Sequence, residues 1–284
     1  MSALIKIQSG SYQIDIKDKV EILKVSHPKA DCEISLFGGQ LLSFKPSSGR
    51  EVFWLSELAK FDGNSAIRGG VPICWPWFGN RGKPSHGFAR NSIWTLSRLE
   101  SVESHAYVEL VLTDTKETQT LFPYRFELRL KVTIAETLEL KLEVTNLDVK
   151  AFEFTGALHS YFAVEDIHKE RLHGLDEQCL DSVEQGGTIK VEAPFKLDKA
   201  LDYVFENSPC TLGSAGLAIE SGSADSLVVW NPWQEGASKM TDMHDSDYNK
   251  MLCIEPAVFS QPIQLDSNQS FTLDLNVRSL VSGS

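Results

Sequence analysis

Hydrophobic and polar residues alternate with a period of two along several long segments of this chain. In residues 137–145 (TLELKLEVT), leucine or valine occupies every second position, and charged or polar residues stand between them. The same alternation runs through residues 107–112, 126–134 and 271–277. Because successive side chains of a β-strand point to opposite faces of a sheet, this pattern predicts antiparallel strands that bury one face.

Shorter apolar segments predict further strands, whereas patterns with a helical period are scarce. The additional strand candidates are residues 32–37, 41–44, 93–99, 152–162, 217–220, 227–230 and 251–255. Only residues 55–60 and 118–121 are compatible with single helical turns. Glycine and proline lie between these segments without marking a linker, although a boundary near residue 150 stays open. The sequence therefore predicts an all-β fold in which residues 1–284 form one antiparallel sandwich or barrel domain.

The charge of the chain restricts its partners. The formal net charge is −12 at pH 7 over 284 residues. A negative field of this kind repels nucleic acid and anionic lipid, so neither is an expected partner. A small phosphorylated metabolite is still compatible with this charge if a few cations gather in one pocket. These features do not determine the oligomeric state, and a monomer is compatible with them.

Targeting signals and cysteine pairs are also missing from the sequence. Residues 1–7 lack the basic start, apolar run and cleavage site of a signal peptide, and no stretch approaches the roughly 18 apolar residues of a membrane-spanning helix. A cytoplasmic protein is therefore expected. The 5 cysteines are scattered without a C-x-x-C pair, which indicates neither a disulfide framework nor a zinc site but buried free thiols.

Residues 66–90 interrupt the strand pattern. Paired glycines, two prolines and the aromatic residues of 66–79 (AIRGGVPICWPWFG) do not suit a regular central strand. The faces of Trp75 and Trp77 suit the apolar face of a sugar ring; alternatively, they pack one end of the sandwich. Arg68, His86 and Arg90 then belong to a local cationic cluster, and the planar guanidinium group suits phosphate.

Within that cluster, solvent exposure is expected for two of the basic residues but not for the others. Arg81 and Lys83 lie in a polar stretch and are expected to be solvated. Arg68 and Arg90 are bracketed by small or apolar neighbours, so simple solvent exposure is not the expectation for them.

A histidine and a glutamate lie in two of the apolar segments. His159 is surrounded by apolar residues in 154–164, where it is either a histidine of the core or a proton-transfer group that titrates near neutral pH. Glu255 ends the predicted strand 251–255 and precedes proline, which suggests a position at the rim of a sheet. There it either faces solvent or lines a polar site, since carboxylates are rarely buried unpaired.

Other motifs carry little functional information. Residues 242–247 (DMHDSD) match neither a calcium-binding EF-hand loop nor a two-histidine zinc motif, and a solvated acidic loop is expected. The sequence contains no G-x-S-x-G, G-x-G-x-x-G or G-x-x-x-x-G-K-[ST] motif. The serine hydrolase and nucleotide-binding classes therefore lack their usual support.

Four of these segments together resemble a known enzyme family. They are IRGGVP (67–72), HGFAR (86–90), LHSYF (158–162) and CIEP (253–256). In this order they resemble the glucose-6-phosphate 1-epimerases, or hexose-6-phosphate mutarotases, of the galactose mutarotase-like superfamily. The resemblance extends from about residue 25 to residue 280, and four motifs in one order are far more specific than any one of them.

The resemblance implies a fold, an activity and a set of site residues. The implied fold is a β-supersandwich with few helical turns. The implied activity interconverts the α and β anomers of hexose 6-phosphates without a metal or an organic cofactor. By position in the motifs, His159 and Glu255 match the catalytic residues. Arg68, Arg90 and His86 match residues at the substrate and its phosphate. Asp202, in the segment LDYVF, matches a ligand of a sugar hydroxyl.

These residue types suit the chemistry of anomer exchange. The C1 hydroxyl must lose a proton while the ring oxygen O5 gains one, so that the ring opens to the aldehyde and closes on the other face. The expected roles are Glu255 as the carboxylate base at O1 and protonated His159 as the acid at O5. Three alternatives stay open: an epimerase of a non-phosphorylated sugar, a noncatalytic carbohydrate-binding sandwich, and a regulatory protein that retains the pocket.

Overall fold

The structure is a computed structural model that describes residues 3–182, 187–206 and 208–280. Strands dominate these residues and form three sheets of 10, 8 and 4 strands. The helical elements of the described residues are short: α1 (Lys116–Leu121), α2 (Trp233–Ala237) and the 3₁₀ turns Ala89–Asn91 and Asp247–Lys250. The predicted all-β fold is thus confirmed. None of the helices in the described ranges is long and apolar enough to cross a membrane.

The strands are numbered in chain order. The first eleven are β1 (Leu4–Ile7), β2 (Ser11–Lys17), β3 (Val20–His27), β4 (Ala30–Ser35), β5 (Gln40–Pro46), β6 (Ile73–Cys74), β7 (Thr95–Ser101), β8 (Ala106–Thr113), β9 (Phe126–Ile134), β10 (Thr137–Asn146) and β11 (Phe152–Leu158). The others are β12 (Tyr161–Ala163), β13 (Arg171–His173), β14 (Gln178–Asp181), β15 (Gly187–Lys190), β16 (Phe195–Lys196), β17 (Leu201–Glu206), β18 (Cys210–Leu212), β19 (Leu217–Glu220), β20 (Ser226–Asn231), β21 (Met251–Leu265) and β22 (Ser270–Ser279).

The largest sheet contains the strands with the clearest alternation. Its order is β1–β7–β8–β9–β10–β22–β19–β18–β13–β16, and only the pair β1–β7 is parallel among these described strands. In its centre, Leu140 lies between Val132 of β9 and Leu275 of β22. All three are at most 1% exposed. Full burial of such a side chain contributes about 1.5–3 kcal/mol, which explains why the alternation in the sequence fixes the face of these strands.

Two further sheets complete the molecule. The four-stranded sheet is the meander β2–β3–β4–β5. The eight-stranded sheet has the order β15–β14–β17–β20–β21–β11–β6, and β12 also pairs with β21. Strand β21 is therefore an interior strand, with β20 on one side and β11 and β12 on the other. This sheet carries the site described below.

One buried cluster joins side chains from all three sheets. It contains Leu23 of the four-stranded sheet, Leu140 of the ten-stranded sheet and Ile254 of the eight-stranded sheet. The cysteines are buried and free, as the sequence predicts. Of the two segments with helical patterns, residues 118–121 fall within α1. Residues 55–60 form a turn, in which Ala59 N–H donates to the Ser56 carbonyl oxygen (3.1 Å).

Candidate functional site

Three adjacent strands of the eight-stranded sheet present polar side chains on one face. Asp202 of β17 pairs with Trp230 of β20, and Val228 of β20 pairs with Glu255 of β21. Side chains two residues apart on a strand share a face. Asp202, Trp230 and Glu255 therefore project from the same side of the sheet, although they are distant in sequence.

Glu255 does not lie at the end of a strand, so the predicted rim position is wrong. Strand β21 continues through Pro256 to Leu265, and Glu255 is 1% exposed. The backbone N–H of Ile254 donates to the Ser160 carbonyl oxygen (3.1 Å). The nitrogen two residues further on, that of Pro256, points to the same side, because backbone groups alternate along a strand. The Pro256 nitrogen faces the interruption between β11 and β12. Because the neighbouring strand is interrupted there, β21 tolerates a residue without an N–H although it is an interior strand.

His159 occupies that interruption. The sequence predicts one strand over 152–162, but β11 ends at Leu158 and β12 begins at Tyr161. The N–H of His159 donates to the Pro72 carbonyl oxygen (3.0 Å). Its ring stacks on Tyr161, with a centroid distance of 4.9 Å and an angle of 10° between the planes. The break in the ladder thus positions His159 beside β21, next to Glu255.

The loop between Arg68 and Arg90 is held by the core. The indole of Trp75 is fully buried and packs against several aromatic rings, among them Phe126 at 4.5 Å. A side chain on Gly87 would place its Cβ 2.0 Å from the Trp75 carbonyl oxygen, and the residue has φ of +72°. Glycine is required there on both grounds. The structure thus selects the packing alternative for Trp75, which is not a platform for a sugar.

The six residues matched to the family's site all line one pocket. Its volume is about 310 Å³. The lining residues are Arg68, Phe78, Ser85, His86, Arg90, His159, Asp202, Val228, Trp230, Met240 and Glu255. Phe78, Trp230 and Met240 were not singled out from the sequence, because apolar residues of a pocket and of a core look alike there. The exposed Arg81 and Lys83 are absent from this lining.

Arg68 is held by two partners. Its Nη2 lies 3.1 Å from Oδ2 of Asp242, and its Nε donates to the same oxygen at 3.2 Å. Its Nη1 donates to the hydroxyl of Tyr161 at 2.8 Å. The expectation of a solvated loop is therefore wrong for Asp242, which is half-buried. No spacing rule connects two residues so far apart in sequence, so this ion pair could not be read from the motif.

Arg90 has donor capacity left over. Its Nη2 donates to the Ser85 carbonyl oxygen at 3.0 Å. Its Nε is buried and has no hydrogen-bond partner among the residues that the structure describes. An unpaired buried donor of a charged group is unfavourable by about 1–3 kcal/mol or more. An anion in the pocket would remove this cost.

His86 is a neutral donor beside the arginines. Burial lowers its pKa to about 4, and the positive charges of Arg90 and Arg68 act in the same direction. Its Nδ1 accepts a hydrogen bond from the Gly79 N–H at 3.4 Å. The proton of the neutral ring is therefore on Nε2.

His159 and Glu255 form a buried pair. Nδ1 of His159 lies 3.4 Å from Oε1 of Glu255, and the two residues are 8% and 1% exposed. Burial lowers the pKa of His159 well below its usual value, and the positive charges of Arg90 and Arg68 add to this effect. Burial likewise raises the pKa of Glu255 well above its usual value, and Asp202 acts in the same direction. Both shifts favour the uncharged forms of the pair, in which the proton is on Glu255.

These uncharged forms differ from the charged forms expected from the sequence, which are a Glu255 carboxylate and a His159 imidazolium. Both arrangements contain one proton and have the same total charge. They differ in which side chain of the pair holds that proton. Desolvation, which cannot be read from a motif, is the reason for the difference.

Comparison with known proteins identifies the family of this chain. A sequence profile described as aldose 1-epimerase matches residues 21–278. The chain belongs to the aldose 1-epimerase family. A protein of Escherichia coli K12, named as a proposed glucose-6-phosphate 1-epimerase, is 32% identical over 271 residues, which cover 92% of this chain and 91% of that protein. A protein of Cenchrus ciliaris with the same name is 35% identical over 84% of this chain and 78% of its own length.

Solved structures agree with this membership of the aldose 1-epimerase family. The crystal structure of a proposed mutarotase from Salmonella typhimurium has a TM-score of 0.89 and 29% identity, and the match covers 97% of this chain and 95% of that one. The galactose mutarotase-like fold and the family resemblance expected from the four motifs are confirmed. The chain is an isomerase of this family.

Proposed function

We propose that this epimerase exchanges the α and β anomers of a hexose 6-phosphate, with glucose 6-phosphate as the first candidate substrate. The observation that carries the proposal is the coexistence, in one pocket, of a buried histidine–carboxylate pair and an arginine with an unpaired buried donor. The histidine–carboxylate pair suits the proton transfers of anomer exchange, and the unpaired arginine donor suits a phosphate group. The names of the relatives from Escherichia coli and Cenchrus ciliaris support the same substrate.

The reaction is a double proton transfer around C1. In the proposed opening step, the Glu255 carboxylate takes the proton of the C1 hydroxyl, while the His159 imidazolium gives a proton to O5. The C1–O5 bond breaks, and the aldehyde rotates about the C1–C2 bond. Closure on the other face returns both protons. Each positioned group contributes about 10²–10⁴-fold.

Substrate binding supplies the charge distribution that this step requires. The charges of Arg90 and Arg68 lower the pKa of His159. A phosphate dianion beside Arg68 and Arg90 offsets those charges, so the pKa of His159 rises. The proton of the pair then moves from Glu255 to His159. Binding of a phosphorylated sugar therefore favours the charged forms that the opening step requires.

The other polar groups of the pocket suit a sugar phosphate. Nε of Arg90 is the proposed principal donor to the phosphate, with Arg68 and the Nε2–H of His86 beside it. Asp202 is the proposed acceptor for a sugar hydroxyl. Burial raises its pKa, and the charge of Asp181 adds to this effect. A hydroxyl donor would stabilise its ionised form. The pocket volume lies at the lower end of the range of about 300–1,000 Å³ typical of small-molecule sites.

The wider setting of this activity is also a proposal. We propose that residues 1–284 act as a single domain in the cytoplasm. The shared core supports the single domain, and the buried free cysteines suit a reducing compartment. The net charge of −12 supports a small-molecule partner over nucleic acid or a membrane.

Exchange spectroscopy by NMR tests the proposed function. The rates of exchange between the α and β anomers of glucose 6-phosphate and of glucose are measured with and without the protein. Faster exchange of glucose 6-phosphate, with a much smaller effect on glucose, is expected. Preferential acceleration of glucose would favour the epimerase of a non-phosphorylated sugar. Binding of glucose 6-phosphate without faster exchange would favour a noncatalytic or regulatory protein.

A further inference from the structure

A third potential ligand adjoins the His159–Glu255 pair. Cys253 lies two residues before Glu255 on β21, and its cross-strand partner is Tyr161, two residues after His159. The cysteine therefore shares a face with Glu255. One ligand atom from each of Cys253, His159 and Glu255 lies within 4.8 Å of the others. This triad combines a thiol, an imidazole and a carboxyl group at one point.

The triad contains unused polar atoms. Nδ1 of His159 and Oε2 of Glu255 are buried and have no hydrogen-bond partner among the described residues. Cys253 is a free thiol without solvent exposure. The proposed proton transfers use the histidine and the glutamate but not the cysteine. The three side chains thus form a set of potential metal ligands, of which the proposed reaction uses only the histidine and the glutamate.

We propose that Cys253, His159 and Glu255 bind one Zn²⁺ ion, which blocks the active site and is not a cofactor. Zinc prefers sulfur, nitrogen and carboxylate ligands in a tetrahedron, with bonds of about 2.0–2.3 Å. Such bonds place ligand atoms roughly 3.3–3.8 Å apart, so the distances within the triad need to contract by up to about 1.5 Å. His159 and Glu255 also line the pocket, so a water molecule from the pocket would supply the fourth ligand. Thiol and imidazole ligands disfavour Mg²⁺ and Ca²⁺.

Binding exchanges protons for the metal. One Zn²⁺ enters, and the Cys253 thiol and the Glu255 carboxyl group each release a proton, so the complex of the metal with thiolate, carboxylate and neutral imidazole has no net charge. Both proton-transfer groups are then coordinated. The binding site stands on geometry alone, whereas its inhibitory consequence rests on the proposed function.

Cobalt substitution tests the site without reference to activity. Co²⁺ and Zn²⁺ are titrated into the whole protein, with Cys253→Ala as the test variant. Cys210→Ala is the control, because Cys210 is equally buried but lies on β18 of the other large sheet. The wild type and the control should bind one ion and show a thiolate-to-cobalt charge-transfer band. Cys253→Ala should lose the band and bind Zn²⁺ at least about tenfold more weakly, since even outer-shell changes cost 10–100-fold.

Either of two results overturns the proposed site: a wild type without the band, or a band that survives in Cys253→Ala. If Cys253→Ala fails to fold, His159→Ala serves as the second variant, and its Zn²⁺ affinity should fall by at least about tenfold. Inhibition is then measured as the Zn²⁺ sensitivity of glucose 6-phosphate exchange in the wild type, Cys210→Ala and Cys253→Ala, with EDTA reversal and each protein compared with its own zinc-free rate. Metal binding in a protein without exchange activity would reject the proposed function but retain the site. Exchange activity that saturating Zn²⁺ leaves unchanged would overturn the inhibition.

Discussion

Arg90→Gln separates phosphate recognition from the remainder of the site. The substitution removes the charge and the unpaired Nε but keeps an amide that can donate to the Ser85 carbonyl oxygen. A hydrogen bond to a charged group contributes about 1.5–3 kcal/mol. At 1.36 kcal/mol per factor of ten, kcat/KM for glucose 6-phosphate should fall roughly 10- to 150-fold. The activity on glucose, which has no phosphate, should change little.

The assay is a coupled measurement of anomer exchange over a range of concentrations of both sugars. Arg81→Gln is the matched control, because Arg81 lies in the same loop, is exposed and donates to the Phe259 carbonyl oxygen (2.8 Å) outside the pocket. This control should keep the activity of the wild type. Equal losses for glucose and glucose 6-phosphate in Arg90→Gln, or the same loss in the control, would refute the assignment of Arg90 to the phosphate.

Three further substitutions test the site and the packing that supports it. The pair should give a bell-shaped pH profile of kcat/KM, in which a second proton at low pH and the loss of the single proton at high pH both abolish activity. Because the charge of Asp202 raises the pKa of Glu255, Asp202→Asn should move the alkaline limb to lower pH, and an unmoved limb would contradict the coupling. Asp242→Asn removes the carboxylate from Arg68 and should raise KM for glucose 6-phosphate several-fold with a smaller change in kcat; a loss confined to kcat would place Asp242 elsewhere in the mechanism. Trp75→Ala should lower the free energy of unfolding in urea by about 3–5 kcal/mol, whereas a loss of sugar binding at full stability would restore Trp75 as a platform.

The sequence predicts best those strands that bury one face and expose the other to solvent. Strand β9 has the predicted bounds, Phe126–Ile134, because its buried residues alternate with charged or polar ones. Strand β21 was predicted only as far as Glu255, since the proline that follows is a local signal for a strand end. Its continuation depends on the gap that His159 leaves in the neighbouring strand. That cause lies about a hundred residues away in sequence, beyond the reach of any local pattern.

The residues of the functional site could likewise be predicted from the sequence only in part. The four motifs indicate which residues meet in the pocket, because motif order reflects a common family. They do not indicate the partners that hold those residues. The ion pair of Arg68 with Asp242 and the stacking of His159 on Tyr161 arise from the packing of separate strands and loops. The protonation of the buried pair depends on desolvation, which is a property of the folded molecule.

His159 and Glu255 are proposed to exchange protons with O1 and O5 of a bound sugar phosphate. The most direct test is the rate of glucose 6-phosphate anomer exchange, measured by NMR with Glu255→Gln at saturating substrate. Glutamine keeps the shape of the side chain but cannot accept and return the proton. A fall in kcat of about 10²–10⁴-fold, with substrate binding retained, is the predicted result. A variant that binds glucose 6-phosphate and exchanges its anomers at the wild-type rate would rule out Glu255 as the group that accepts and returns the O1 proton.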